Sequence, residues 1–459
     1  MVRNLQIALI FFICLIIGKV SAQQEFSMYY LGKNLYQSVH LNPAFMPEKD
    51  NYGILSNYVN FSHSGFALED VLFKNELDSF DIRIDSMLAA MKEGQNFLNV
   101  NTTIELMSFK WKYRRQYYAF GIQEKLNTTF YYPKDFMLLA LNGNGNYIGD
   151  TLDVGLGLKA NHYREYYFNY MRKLKRWDLG FRIKLLTGFE NISIKAREDS
   201  TFFVTDQDYN LHASYAYRVN LAGHSRIQSI IDGDQDAING YASPSYFLNF
   251  KNLGLGFDLG AVYSIDKKLK LSLSVLDIGS INWRDDVSNQ NIVGEHRLSG
   301  FDIYEVYSNG GVDSFGNQLT MLQDSLNENN VIRQSANNFT TNLIPKHYAA
   351  INYNLIDSFM VSAVWYGEYF EGYRPGFSLG LNKEIWKVMN LGVNYSIKNR
   401  SYVNLGGSVV INMGPLQIYA MTDNFYSVLD YRSVRNINLR WGINARFTLI
   451  RPRYRAKEG

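Results

Sequence analysis

Between Ile437 and Leu449 every odd position is apolar (Ile437, Leu439, Trp441, Ile443, Ala445, Phe447, Leu449), and every even one is polar or glycine (Asn438, Arg440, Gly442, Asn444, Arg446, Thr448). Successive side chains of an extended chain point to opposite faces, so this stretch predicts a strand with one wholly apolar face. Its other face carries two arginines, and the two faces need very different neighbours. The strand exceeds the roughly 5–6 residues usual in globular sheets. It covers the roughly 9–11 that cross a bilayer at a tilt.

The same alternation recurs along the chain. Trp177, Leu179, Phe181, Ile183 and Leu185 alternate with Asp178, Gly180, Arg182 and Lys184. Leu255, Phe257, Leu259 and Ala261 alternate with Gly256, Asp258 and Gly260. In all, the pattern predicts about 16 strands, near 53–61, 102–113, 116–126, 160–172, 177–187, 190–204, 209–221, 253–265, 269–278, 347–356, 359–369, 375–384, 389–397, 402–412, 415–422 and 437–449. Every second link between them is tight, as at Arg114–Arg115, Lys173–Arg176, Thr205–Asp208, Asp266–Lys268, Asp357–Ser358, Ile385–Val388 and Met413–Gly414. All the long links, roughly 62–101, 127–159, 222–252, 279–346 and 423–436, fall in the alternate set. Short turns at one end and long loops at the other are the layout of an outer-membrane barrel.

The expected fold is therefore all-β, a transmembrane antiparallel up-and-down barrel spanning 53–449. In hydrocarbon every backbone group must pair internally, so only a closed sheet can span. Lipid accepts the apolar face. A wet lumen accepts Arg440, Asn444, Arg446, Lys184 and Asp258, which are the expected lumen-facing residues. Aromatics make up 15% of the chain, with 34 Tyr and 29 Phe, a surplus that suits interfacial girdles.

The N-terminus reads as an export signal. Arg3 precedes an apolar run from Leu5 to Ile17, and Val20 and Ala22 stand three and one residues before a cut at Gln23. The sole cysteine, Cys14, lies within that run, so residues 1–22 would take it away and leave no disulfide or thiolate metal site. They also carry two cations, Arg3 and Lys19, and no acid, so the formal charge falls from +3 to +1. A near-neutral chain argues against nucleic acid as a partner.

Outside the wall, His40–Asp50 ("HLNPAFMPEKD") does not alternate and holds two prolines. It reads either as a plug entering the lumen, within a plug-like segment at 23–52, or as a surface leader. Ser79–Gly94 predicts a helix capped by Ser79, with Phe80, Ile84, Met87, Leu88 and Met91 on one face. Asp232, Asp234 and Asp236 are spaced like the start of a calcium loop. Ala237 and Ser243 stand where such a loop wants Gly and Glu, so a solvated acidic loop is the expectation. There is no HExxH, GxSxG or P-loop, and "GNGNYIG" (143–149) has the wrong spacing for a dinucleotide fingerprint. No enzyme activity, resident metal or cofactor is expected.

The phrases "YYLGKNLYQSVHLNPAFMPEKDNYG", "YYPKDFMLLALNGNGNYIGDTLDVGLGLKANHYREY" and "RIKLLTGFENISIKA" resemble an uncharacterised Bacteroidota outer-membrane β-barrel family, a domain of unknown function. "LNPA" and "GFDLGAVYSIDKKLKLSLSVLDIGS" are also similar to the wider fatty-acid-transporter (FadL) and PorV-like barrels. That resemblance implies a barrel of about 14 strands, and places Asn42, Pro43 and Ala44 near a plug. The chain departs from barrels that finish on an aromatic residue: a basic tail, 450–459, follows the last strand and would be periplasmic. Two functions follow as expectations. One is a passive outer-membrane channel or carrier for a small hydrophobic molecule. The other is a structural or docking barrel of an envelope machine such as type IX secretion or gliding. The partners implied are outer-membrane lipid, the barrel assembly machinery, and either a small hydrophobic ligand or an envelope protein.

Overall fold

Burial along the wall is inverted relative to a water-soluble sheet. Leu179, Phe181, Ile183 and Leu185 are exposed, while Arg182 and Lys184 between them are each 2% exposed. The computed structural model describes residues 25–47, 49–74, 80–197, 199–236, 240, 246, 249–298, 331–356, 358–370, 372–386, 388–398, 401–425 and 435–447. The expected signal at 1–22, the cap at Ser79 and the tail at 450–459 lie outside these residues.

Fourteen strands form the wall: β1 Asp50–His63, β2 Gln95–Tyr113, β3 Gln116–Pro133, β4 Gly157–Lys173, β5 Trp177–Ala196, β6 Asn252–Ser264, β7 Leu269–Trp283, β8 Lys346–Ile356, β9 Phe359–Tyr369, β10 Tyr373–Ile385, β11 Met389–Lys398, β12 Ser401–Met413, β13 Leu416–Thr422 and β14 Asn436–Phe447. Each pairs antiparallel with its neighbour in the chain, and β14 pairs with β1 from Asp50↔Phe447 to Ser62↔Asn436, which closes the barrel. Closure leaves no unpaired edge. Six short connections and both ends of the wall, Asp50 and Phe447, lie at one end; the opposite end is the mouth.

Two of the sixteen expected strands are not separate staves. The link read at Gly188–Phe189 is a bulge inside β5: His162 pairs with Glu190 and Tyr163 with Gly188, leaving Phe189 as the extra residue. One long strand, ending at Ala196, therefore replaces 177–187 and the first part of 190–204, and Phe202–Thr205 is a separate short strand paired with Leu211–Ser214. The expected strand at 209–221 lies above the mouth. There Leu211–Ala222 pairs with the upper part of β5 and with Val287–Leu298, which in turn pairs with Val331–Ser335. This extension sheet places the Thr205–Asp208 turn at the mouth end and explains why the tight-link count was one too high. It also occupies part of the expected 279–346 loop; 299–330 lie outside the described residues.

The apolar outer face runs round the wall. Leu255, Leu259, Leu273, Ile351, Trp365, Leu379, Val393, Val409, Leu439 and Trp441 are all exposed. A belt of this extent is far beyond the isolated apolar patches of a soluble monomer. No helix among the described residues is long and apolar enough to cross a membrane. The expected helix at 79–94 is shorter than predicted. It spans Ile84–Ala90 from a cap at Arg83, because Phe80–Ile82 pairs as a strand with Leu72–Lys74. Met87, Leu88 and Met91 pack on Tyr132 at the mouth.

Candidate functional site: the seated plug and the lumen above it

The main hydrophobic core lies inside the barrel and is built on the N-terminal segment. A helix, Phe26–Leu31, and a 3-10 turn, Tyr36–His40, put Phe26, Tyr29, Tyr30, Leu31, Leu35 and Tyr36 at 1% exposure or less. They pack on the inward apolar residues of the wall, among them Met171, Tyr348, Val364 and Tyr419. Full burial of such a side chain contributes roughly 1.5–3 kcal/mol, so this packing holds the segment firmly. The segment thus packs against the inner face of the wall, not along its outer surface.

Asn42, Pro43 and Ala44 make the seat. Asn42 Oδ1 accepts the Ala44 N–H at 2.9 Å, closing a tight turn, and Asn42 Nδ2 donates to the wall carbonyl of Leu273 at 3.2 Å. Asn169 Nδ2 donates to Pro43 O at 3.2 Å, and Ser274 Oγ to Leu41 O at 2.6 Å. The turn rests on Gly180 of β5 and Gly260 of β6, which are paired neighbours. A Cβ on Gly180 would come 2.7 Å from Ala44 N, and one on Gly260 would come 2.8 Å from Pro43 Cδ. Both glycines are therefore required by the close approach of the plug.

Charges in the lumen are matched within the wall and, at Arg440, across to the plug. Lys184 Nζ is 2.7 Å from Asp258 and 2.6 Å from Asp277. Arg182 lies 3.6 Å from Asp258 and donates to Val39 O at 2.9 Å. Arg440 pairs with Glu25 and donates to Ser56 at 3.1 Å. Asn444 donates to Gln37 at 2.9 Å, and Arg446, half-buried near the turn end, bonds Asn412. All five expected lumen residues thus point inward, and all but Arg446 are buried. Arg440 and Asn444 bond plug side chains directly.

His40 is the centre of this network. Its Nδ1 accepts from Arg182 Nη1 at 2.9 Å, so its proton sits on Nε2 and is donated to Glu105 at 2.7 Å. Burial, with the Arg182 charge beside it, pulls its pKa down to about 4. At the other end of the plug, Asp423 accepts the N–H groups of Phe26 and Ser27 at 3.1 and 2.6 Å. Burial raises that carboxyl to about 6, against the pull of these bonds.

Sequence reasoning missed Glu105, Asp277 and Asp423. A bulge at Glu105/Met107 flips the alternation of β2, so both Glu105 and Ser108 face inward. A second bulge, at Asp277 with φ 59°, turns that carboxylate onto Lys184. Period-two reading has no signal for either bulge. The Asp232, Asp234 and Asp236 run follows the helix His224–Ile231 and is exposed, and Asp234 accepts the Asp236 N–H at 2.9 Å. No group of three potential metal ligands converges among the described residues.

Among the described residues, the cavities above the plug include a lower and an upper one. The lower, about 80 Å³, is lined by Glu25, His40, Lys125, Arg182, Lys184 and Arg440, among others. The upper, at the mouth, is about 330 Å³.

A family model described as a family of unknown function, DUF5723, matches residues 43–423. The chain belongs to this family. The matched DUF5723 stretch starts at Pro43 of the seat and ends at Asp423. No curated protein matches the sequence. Among solved structures, the Pseudomonas putida toluene transporter TodX is similar over 93% of this chain and 94% of its own, at 7% identity and a TM-score of 0.40. A Pseudomonas aeruginosa FadL homologue is similar over 89% and 93%, at 9% identity and 0.41. The CymD monoaromatic hydrocarbon channel is similar over 91% and 94%, at 10% identity and 0.41. At these values nothing about activity passes from them to this DUF5723 chain.

Proposed function

We propose that this DUF5723 protein is an outer-membrane barrel acting as a plug-gated conduit for a small solute. The observation that carries the reading is the fit of Asn42-Pro43-Ala44 to Gly180 and Gly260, a wall shaped to receive this segment. Membrane residence is supported by the apolar belt, closed strand pairing and loops sorted by length. The hydrophobic passenger expected from the sequence suits the lumen less well than a polar one. The cavity above the plug is bounded by charged side chains, and stripping water from these would cost more than an apolar solute returns.

Planar-bilayer recording tests the gate. Wild-type protein is expected to stay closed. Gly260→Val forces Asn42 and Pro43 off the wall and is expected to open steps of conductance; a bilayer that stays silent with Gly260→Val and with residues 25–47 deleted overturns the conduit. Liposome swelling in a small sugar, compared with uptake of a monoaromatic, then decides the cargo class. A second reading, a docking barrel for an envelope machine, is favoured by the extension sheet standing above the mouth. Cross-linking through that sheet that captures no envelope protein removes it.

A further inference from the structure

Toward its turn end the apolar outer face of the wall is hollow. A groove of about 510 Å³ is lined there by Ala261, Ala349 and Ala363, with Trp177, Tyr263 and Trp365 among the larger side chains around them. The hollow is a product of register. Ala261 of β6 stands opposite Leu273 of β7, and Ala349 of β8 stands between Leu273 and Trp365 of β9. Ala363 of β9 stands opposite Ile351 of β8, so short side chains alternate with long ones across four strands. The volume lies in the range of small-molecule pockets, about 300–1,000 Å³. Among the described residues no charged side chain lines it. The groove belongs to the apolar belt, so what fills it is hydrocarbon, which supplies the dispersion contacts that an empty hollow forfeits.

At the turns beside the groove the belt gives way to a basic edge. Residues 172–176, joining β4 to β5, hold Arg172, Lys173, Lys175 and Arg176. Residues 266–268, joining β6 to β7, hold Lys267 and Lys268 with one carboxylate, Asp266. All seven are exposed. The Asp266 carboxylate is turned onto its own loop, where it accepts the N–H groups of Lys268 and Leu269 at 2.6 and 2.7 Å. The two turns are tied side by side: Ser264 N–H donates to Arg176 O at 2.7 Å, and Asn354 N–H of β8 donates to Lys268 O at 2.9 Å. The next turns, Asp357–Ser358 and Met413–Gly414, carry no cation. Between edge and groove stands an aromatic pair. Trp177 follows directly on Arg176 and faces Tyr263 in register, with ring centroids 4.5 Å apart. Trp and Tyr rings lie at headgroup level in membrane proteins.

We propose that this face is a docking site for one anionic phospholipid of the turn-side leaflet. Its acyl chain lies in the groove over Ala261, Ala349 and Ala363, and its headgroup is held by Lys175, Arg176, Lys267 and Lys268. The order of the surface is the order of the lipid: cations meet the phosphate, the Trp177–Tyr263 pair meets the glycerol region, and the alanine floor meets the chain. Clustered basic residues at one leaflet's headgroup level favour anionic over neutral lipid. A second copy of the chain fits less well. A two-fold contact places the same patch on both partners, so hollow would face hollow and one basic edge the other. The proposal rests on the membrane residence of the reading above and not on conduction, so a silent channel leaves it standing.

The test is native mass spectrometry of the full chain after flotation with vesicles of equal parts phosphatidylcholine and phosphatidylglycerol. Wild type is expected to retain a phospholipid, and phosphatidylglycerol over phosphatidylcholine by roughly tenfold. Ala349→Leu/Ala363→Leu, which fills the groove, is expected to retain roughly tenfold less of it. Lys175→Gln/Arg176→Gln/Lys267→Gln/Lys268→Gln is expected to lose the preference between the two lipids. Arg114→Gln/Arg115→Gln removes two exposed cations from the turn joining β2 to β3, away from the groove, and is expected to behave like wild type. Equal retention of both lipids by wild type, undiminished retention by the groove variant, or loss of the preference in the Arg114/Arg115 control overturns the proposal. So does a dimer that holds no lipid, which assigns the groove to a second copy. A chain that does not float with the vesicles overturns membrane residence itself. Heat-modifiability on a gel verifies that each variant is a folded barrel.

Discussion

At the level of the plug, Lys184 has two carboxylates within 2.7 Å and Arg440 is matched by Glu25. At the mouth, an open cavity is lined by Lys92, Lys159, Lys195, Arg197, Arg374 and Asp153. The two regions are built on the same strands and differ in what fills them. Where the plug excludes water, an unmatched charge would cost several kcal/mol, and Lys184 and Arg182 have carboxylates beside them within the wall, as Arg440 has across to the plug. Where water enters, the desolvation cost of a charged side chain falls.

The contrast breaks most readily at Lys184. Lys184→Met removes the cation shared by Asp258 and Asp277, leaving only Arg182 at 3.6 Å from the first and Lys346 at 3.4 Å from the second, and is expected to destabilise the barrel by about 3–5 kcal/mol. The readout is a lower temperature for conversion of the compact band on a denaturing gel. Removing the charge problem as well, with Lys184→Met/Asp258→Leu, is expected to recover much of it. If the single variant melts like wild type, the pairing does not hold the lower lumen together.

Next in size is a pair of opposed pH effects on plug seating. His40 has its pKa lowered to about 4, so its contribution is present above the ordinary value of 6.5 and is lost as pH falls from there toward 4. Asp423 has its pKa raised to about 6, so its contribution is full below 3.8 and is lost as pH rises through 6. Each spans about 3 kcal/mol, from roughly 1.4 kcal/mol per pH unit. Between pH 4 and 6 the two slopes nearly cancel, so the wild-type plug is expected to be held about equally across that window. Asp423→Asn is expected to expose the His40 slope, with weaker seating on acidification, and His40→Gln the reverse slope. Proteolysis of the N-terminal segment against pH reads both.

The mouth is expected to be far more tolerant. Arg374→Gln removes a half-buried stacked cation worth about 0.5–1 kcal/mol and should barely move the gel transition. Smallest of all, Asp234→Asn is expected to change neither stability nor its response to added calcium, because its carboxylate is exposed beside Asp232 and Asp236 without converging on a common point.

Much of the wall was legible because one physical rule governs it: an apolar medium outside and a polar one inside impose period two. Ile437–Leu449 and Trp177–Leu185 state that rule without ambiguity, and the strand ends follow from their turns. What the rule could not reach were the interruptions. Gly188–Phe189 looks like a turn and is a bulge, since a glycine followed by a break in alternation signals both. Glu105 and Asp277 were assigned no role because each sits where a bulge shifts the phase. The seat was half legible: Asn42-Pro43-Ala44 announced a turn, but its partners Gly180 and Gly260 are over 130 residues away and look like ordinary strand glycines. The groove on the outer face is a product of register between Ala261, Ala349 and Ala363 and their neighbours, which alternation within one strand does not determine.

The central claim is that the N-terminal segment is packed inside the barrel and holds it shut. Hydrogen exchange of peptides covering residues 26–46, in wild type and in Gly260→Val, tests it directly. The account predicts exchange as slow as that of β5 and β6 in wild type, and a marked loss of protection in Gly260→Val while the wall stays protected. Rapid exchange of 26–46 in the wild type, at the rate of an exposed chain, would contradict it.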